Sequence, residues 1–242
     1  MDEPVIKVKD LVKKFGSFVA NDHLNFEVYR GEIFGFLGAN GAGKTTAIRI
    51  LCGLSSPTSG EIMVGGFDVY RQTEHIKQNI GYMSQKFSLY EDLTISENIR
   101  FYGGIYGIPV KVRKAKERIL LEKLRLGDHR NRLIASLPLG WKQKLAFSVA
   151  VLHDPKIVFL DEPTGGVDPV TRRQFWDLIY EAAAGGMTVF VTTHYMDEAE
   201  YCDRVSVMVD GKIVVLDTPA GMKKRFNAEN MNEVFLKIAR KQ

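Results

Sequence analysis

Short β-branched apolar runs alternate along the chain with longer stretches of helical periodicity, the rhythm of a largely parallel α/β sheet. The apolar runs predict strands over residues 6–8, 25–28, 32–37, 60–64, 79–83, 157–160, 188–191 and 205–209. An Asp210-Gly211 turn then predicts a hairpin into residues 212–216. The early strands are expected to be antiparallel, because short turns such as Tyr29-Arg30-Gly31 join them. Residues 86–153 read differently: helical patterns cover 94–106, 110–124 and 140–152, joined by Gly107-Ile108-Pro109 and the polar run 127–132. The pattern predicts a core from 1–85 and 154–217, a helical subdomain inserted over 86–153, and a tail over 218–242. The tail reads as a lysine-rich helix whose apolar spacing at 232–238 packs it onto the body.

Composition adds limits. The 242 residues are 45% hydrophobic and 26% charged, enough for one sizeable core and unlike a disordered chain. The net charge of +4 comes from scattered basic residues with only short clusters at 111–116 and 223–225. These read as a solvated face, and no nucleic-acid partner is expected. Cys52 and Cys202 lack metal-ligand spacing and read as reduced thiols of a cytosolic protein. The N-terminal residues lack an apolar signal core, and no run approaches bilayer length, so any membrane role is expected to pass through a partner.

The chemistry concentrates at a few positions. Residues 38–45 read GANGAGKT, a full match to the phosphate-binding loop, with an apolar strand before it and a helical pattern over 46–54 after it. Glycines at 38, 41 and 43 let the loop turn its N–H groups inward on phosphate oxygens, and the helix N-terminus adds positive potential. Gly38, Ala39, Asn40, Gly41, Ala42, Gly43, Lys44, Thr45 and Thr46 are therefore the predicted ATP cradle. Lys44 is expected to bridge the β- and γ-phosphates, and Thr45 to bind Mg²⁺. The run IVFLDE at 157–162 delivers two acids to the ligand-bearing edge of the sheet. Asp161 suits holding Mg²⁺ through its bound water, and Glu162 suits polarising the attacking water. Gln85, after the strand at 80–83, can reach both metal and water. His194 follows a strand and two threonines, while His23, His75, His129 and His153 read as structural or exposed. Phe15 suits either adenine stacking or a place in the core. The expected fold class is α/β: a P-loop NTPase core with an antiparallel β edge and an inserted α-helical subdomain.

The order of these elements resembles the nucleotide-binding subunit of an ATP-binding-cassette (ABC) transporter over nearly the whole chain. On that resemblance Phe15 matches the aromatic of the A-loop, Gln85 the Q-loop, 165–168 the D-loop, and His194 the switch histidine that contacts the γ-phosphate. The stretch LYEDLTISENIRFYGGIYG, the GVDP at 166–169 and the ending NEVFLKIA resemble the ATPases of ABC-2 type exporters of drugs, lipids or polysaccharides. The resemblance implies ATP hydrolysis by a head-to-tail pair of such domains, identical or different. It also implies ABC-2 type transmembrane permease subunits coupled near residues 87–92, and a cytoplasmic, peripheral location at the inner face of the cell membrane.

Two departures stand out. The family's LSGGQ signature falls on Leu137-Pro138-Leu139-Gly140-Trp141, and Gly165 replaces a serine in the D-loop. Pro138 offers neither hydroxyl nor N–H, which either handicaps one ATP site or simply starts a helix. Two other readings predict different companions. An ABC ATPase acting on ribosomes or DNA calls for tandem cassettes or a coiled-coil insert. A small-molecule kinase calls for an arginine-rich lid and leaves IVFLDEPTGGVD without a role.

Overall fold

The computed structural model describes residues 3–85 and 89–240. Two strands, β1 (Ile6–Phe15) and β2 (Phe18–Val28), form a long antiparallel hairpin. β3 (Ile33–Gly38) runs into the loop and α1 (Lys44–Leu51), followed by β4 (Ser59–Val64), the two-residue β5 (Phe67–Asp68), α2 (Thr73–Asn79) and β6 (Ile80–Met83). The insert contributes α3 (Ile95–Ile105), α4 (Val110–Lys123) and α5 (Leu139–Ala150). The chain then returns through β7 (Ile157–Asp161), α6 (Pro169–Ala184), β8 (Thr188–Thr193), β9 (Arg204–Val209) and β10 (Lys212–Asp217). It ends in α7 (Pro219–Phe226) and α8 (Met231–Ala239).

Two sheets result. One is four-stranded and antiparallel, in the order β2-β1-β4-β5; the other is six-stranded, in the order β10-β9-β3-β8-β7-β6. The second is parallel except for the β9–β10 pair. β3, β7 and β8 are buried at every position, as central parallel strands covered on both faces must be. Between the sheets lies an aromatic core of Phe26, Phe34, Phe36 and Phe190, joined by Ile48, Ile50 and Leu51 of α1. On the other face of the parallel sheet, Phe147, Phe175 and Trp176 from α5 and α6 form a second core that extends into the insert. Gly140 is needed at that junction, because a Cβ there would stand 2.3 Å from the Thr171 methyl.

Two expectations need correction, on the turn at 29–31 and on the tail. The Tyr29-Arg30-Gly31 turn does not join two paired strands; it carries the chain from one sheet to the other. The hairpin turn lies after Phe15, which is the last residue of β1, paired with Phe18. The tail is two helices, because Asn227 takes a left-handed conformation (φ 48°) that ends α7.

Candidate active site

The loop after β3 curls as the glycine pattern demands. Gly43, the N-cap of α1, sits at φ 101°, and a Cβ there would stand 2.3 Å from the Ala20 carbonyl oxygen. The buried Asn21 holds the loop from β2, its Nδ2 donating to the Gly43 carbonyl at 3.1 Å. Lys44 is almost wholly buried, and its Nζ donates to the carbonyls of Gly38 (2.8 Å) and Ala39 (3.1 Å).

β7 brings its two acids to the same edge. Asp161 is fully buried; its Oδ1 accepts from Thr45 Oγ1 at 3.2 Å and from Thr192 Oγ1 at 2.7 Å. Burial raises its carboxyl above the ordinary value, against the lowering effect of the two hydroxyls. Its Oδ2 is buried without a partner. Thr45, bonded to this carboxylate, lines the loop cavity together with Gln85, and carboxylate, hydroxyl and amide oxygens are donors suited to a hard cation such as Mg²⁺. Among the described residues no group of three or more His, Cys, Asp or Glu could hold a metal by itself.

Glu162 follows β7 in a left-handed conformation (φ 49°), sparsely populated for a non-glycine residue. Its N–H is fixed by the carbonyl (3.1 Å) and hydroxyl (3.0 Å) of Thr192. The turned backbone aims its carboxylate at three segments. Oε1 lies 3.2 Å from Lys44 Nζ, Oε2 accepts from Gln85 Nε2 at 2.9 Å, and His194 Nδ1 lies 3.0 Å from Oε2. A cavity of about 350 Å³ opens over the loop, and a neighbouring one of about 340 Å³ runs toward His194 and Leu139. Asn40, Gln85 and Glu162 line both, so the carboxylate stands at their common wall.

The structure thus gathers Asn40, Gly41, Gly43 to Thr46, Gln85, Asp161, Glu162 and His194 at one sheet edge. Phe15 does not line either cavity; it is exposed, with Lys13 Nζ 4.8 Å from its ring centroid, while its pair Phe18 reaches the loop cavity. Pro138 occupies the N-cap of α5, and Leu139 lines the second cavity close to Gly166. The expected coupling segment at 87–92 lies partly outside the described residues.

Sequence reasoning missed several supports. Gln143 reaches across from α5 to donate to the Gly165 carbonyl at 3.0 Å. The fully buried Glu198 accepts from both Thr164 Oγ1 and Thr193 Oγ1 at 2.5 Å and lies 3.6 Å from Arg172 Nε. Arg172 in turn lies over the Tyr195 ring at 4.1 Å, next to His194. One carboxylate therefore joins the segment after Glu162, the segment before His194, and the start of α6. The threonines before His194 were the only outward signal of it.

Comparison with known proteins places these features in company. The family model described as "ABC transporter" matches residues 21–165. The chain is 49% identical over 221 residues to the probable multidrug ABC transporter ATP-binding protein YbhF of Escherichia coli, covering 91% of this chain but 38% of that protein. It is 32% identical to the linearmycin resistance ATP-binding protein LnrL of Bacillus subtilis, covering 96% of this chain and 78% of LnrL. A solved ATP-binding subunit of an ABC transporter superposes with a TM-score of 0.87 at 28% identity, over 97% of this chain and 99% of that one. The dimeric, post-hydrolysis cassette MJ0796 bound to ADP and Pi superposes at 0.80 with 25% identity, over 88% and 98% of the two chains.

Proposed function

The chain belongs to the ABC transporter ATP-binding family, and from that premise we propose that it binds MgATP and hydrolyses it to ADP and phosphate to drive a membrane exporter. The observation that carries this reading is the convergence of Lys44, Gln85 and His194 on Glu162, beside the Thr45–Asp161 pair. The loop N–H groups and Lys44 hold the β- and γ-phosphates. Thr45 and Gln85 would hold Mg²⁺, with Asp161 positioned to accept from a bound water; the ion would withdraw charge from the phosphates. Glu162 takes a proton from the attacking water, and His194 leaves Glu162 for the γ-phosphate. Phe15 and Phe18, at the end of the β1–β2 hairpin, are the aromatics available to the adenine.

The relatives named for multidrug transport and linearmycin resistance support the drug class among the drug, lipid and polysaccharide exporters, and the chain spans little more than a third of YbhF. In this reading two cassettes close head-to-tail around ATP, as a pair of identical or different chains. They drive ABC-2 type membrane subunits from the inner face of the membrane. The residues 1–85 and 154–217 act as the nucleotide core, 86–153 as the coupling insert, and 218–242 as a tail. No helix among the described residues is long and apolar enough to cross a membrane.

The test is ATP turnover of the purified chain and of its Lys44→Ala and Glu162→Gln variants. Both variants are expected to lose turnover, and Glu162→Gln with ATP is expected to form a dimer seen by light scattering. Full turnover in Lys44→Ala sinks the assignment. Stimulation by ribosomes or DNA rather than by membrane subunits favours the other class of ABC ATPase.

A further inference from the structure

Charge is divided unevenly between the parts of this chain. Residues 86–153 hold 13 Lys and Arg against 6 Asp and Glu, a net +7; the remainder holds 20 against 23, a net −3. Such asymmetry points to an acidic surface met by one part of the molecule.

Within the insert the charge has a place. A groove of about 640 Å³ runs between α3 and α4, walled by Arg100, Lys114, Glu117 and Arg118 and closed by Arg130. Glu117 is buried and already satisfied, by Ser96 Oγ at 2.5 Å and Arg100 Nε at 3.3 Å. Among the described residues Lys111, Lys114, Arg118 and Arg130 are exposed and make no ion pair. Glu122 is the one other acid on the groove. The outward face of α4 sets exposed Val112 and Ile119 beside Lys111 and Arg118, both apolar side chains about half accessible (46% and 59%). Unpaired cations around a groove, flanked by apolar side chains, is the chemistry of a headgroup layer with acyl chains beneath it.

We infer that the α3–α4 groove is a docking surface for anionic phospholipid headgroups at the membrane face. Phosphate oxygens enter among Lys114, Arg118 and Arg130, and Val112 and Ile119 rest on the interface. The surface goes beyond the transporter reading and does not require it: vesicle binding needs no ATP, and turnover needs no vesicle.

The experiment is sedimentation of the full chain with phosphatidylcholine vesicles, with and without phosphatidylglycerol. Binding is expected only with phosphatidylglycerol, and is expected to weaken as salt rises. Lys114→Gln with Arg118→Gln removes two charges and should weaken binding by roughly 10- to 30-fold, with ATP turnover and melting temperature unchanged. The charge-reversed pair Lys114→Glu and Arg118→Glu should abolish it. Equal binding to neutral vesicles, undiminished binding by the variants, or a preference for duplex DNA over anionic vesicles overturns the inference. A chain that hydrolyses ATP yet ignores both vesicles overturns this surface alone, whereas one that binds vesicles without turnover overturns the ATPase reading alone.

Discussion

Lys44 Nζ and Glu162 Oε1 lie 3.2 Å apart, both side chains almost wholly buried, so the proposed base and the phosphate-binding cation neutralise one another. Entering phosphates must draw Lys44 away, and the same movement frees one oxygen of Glu162. Glu162→Gln removes the competing charge while keeping the shape. It should bind ATP up to about tenfold more tightly than the parent chain and turn it over 10²- to 10⁴-fold more slowly. Equilibrium titration and single-turnover kinetics on the same preparation check both halves; weaker binding in Glu162→Gln rules out the competition.

Gly43→Ala tests the loop itself. The left-handed φ of 101° and a methyl 2.3 Å from the Ala20 carbonyl oxygen both oppose it. The strain alone is worth about 1–2 kcal/mol, and the loop must shift to relieve the clash. Loss of ATP binding with a retained fold is expected, measured by calorimetry beside circular dichroism.

Glu198→Ala leaves Arg172 and the hydroxyls of Thr164 and Thr193 without their buried acceptor. Arg172 keeps Asp197 at 3.4 Å, whereas each buried hydroxyl left without an acceptor costs about 1–3 kcal/mol, so chemical unfolding should show a loss of that order. Glu198→Gln should keep most of the stability but slow turnover, because Glu162 and His194 flank the threonines it ties together. Unaltered turnover in Glu198→Gln would make the cluster a matter of folding only.

Burial lowers the His153 pKa below its ordinary 6.5. The ring stacks on Tyr106 at 3.6 Å and meets the Ile80 carbonyl through Nε2 at 3.0 Å, with Nδ1 buried and unpartnered. The unfolded chain therefore takes up a proton at a higher pH than the folded one. The stability due to neutral His153 is complete above pH 6.5 and is lost as pH falls from there through the depressed value. His153→Phe should flatten that fall in a melting-temperature series; an unchanged slope assigns it to other groups.

Pro138→Ser offers α5 a capping hydroxyl at its first turn. If that hydroxyl also reaches the partner cassette's γ-phosphate, turnover of the homodimer should rise by roughly tenfold or more. A gain in melting temperature without faster turnover would identify the proline as a helix starter alone.

Much of this was legible beforehand where local chemistry repeats a fixed spacing. The loop at 38–45 and the buried run at 157–161 carry their own context, strand before and helix or acid after. The three helices of the insert fell within a few residues of their predicted bounds. The long arms of β1 and β2 were not legible, because Asp10 at φ 50° and the register shifts after Val8 interrupt the alternation. α6 went unread because its buried stripe is only Phe175, Trp176 and Ile179. The grouping of Lys44, Gln85 and His194 on one carboxylate spans 118, 77 and 32 residues of sequence, and only the folded sheet edge brings them together. Phe18 escaped attention because which of two aromatics flanks a cavity depends on where the hairpin turns.

The uneven sharing of charge between insert and remainder has a bearing on how the molecule travels. Seven net positive charges in one part and three net negative in the other make the chain an electric dipole. Near a negatively charged sheet such a body is turned by the field before it touches, within about a Debye length, ~8 Å at physiological ionic strength. It arrives with the insert leading, and the remaining search is a lateral one in two dimensions.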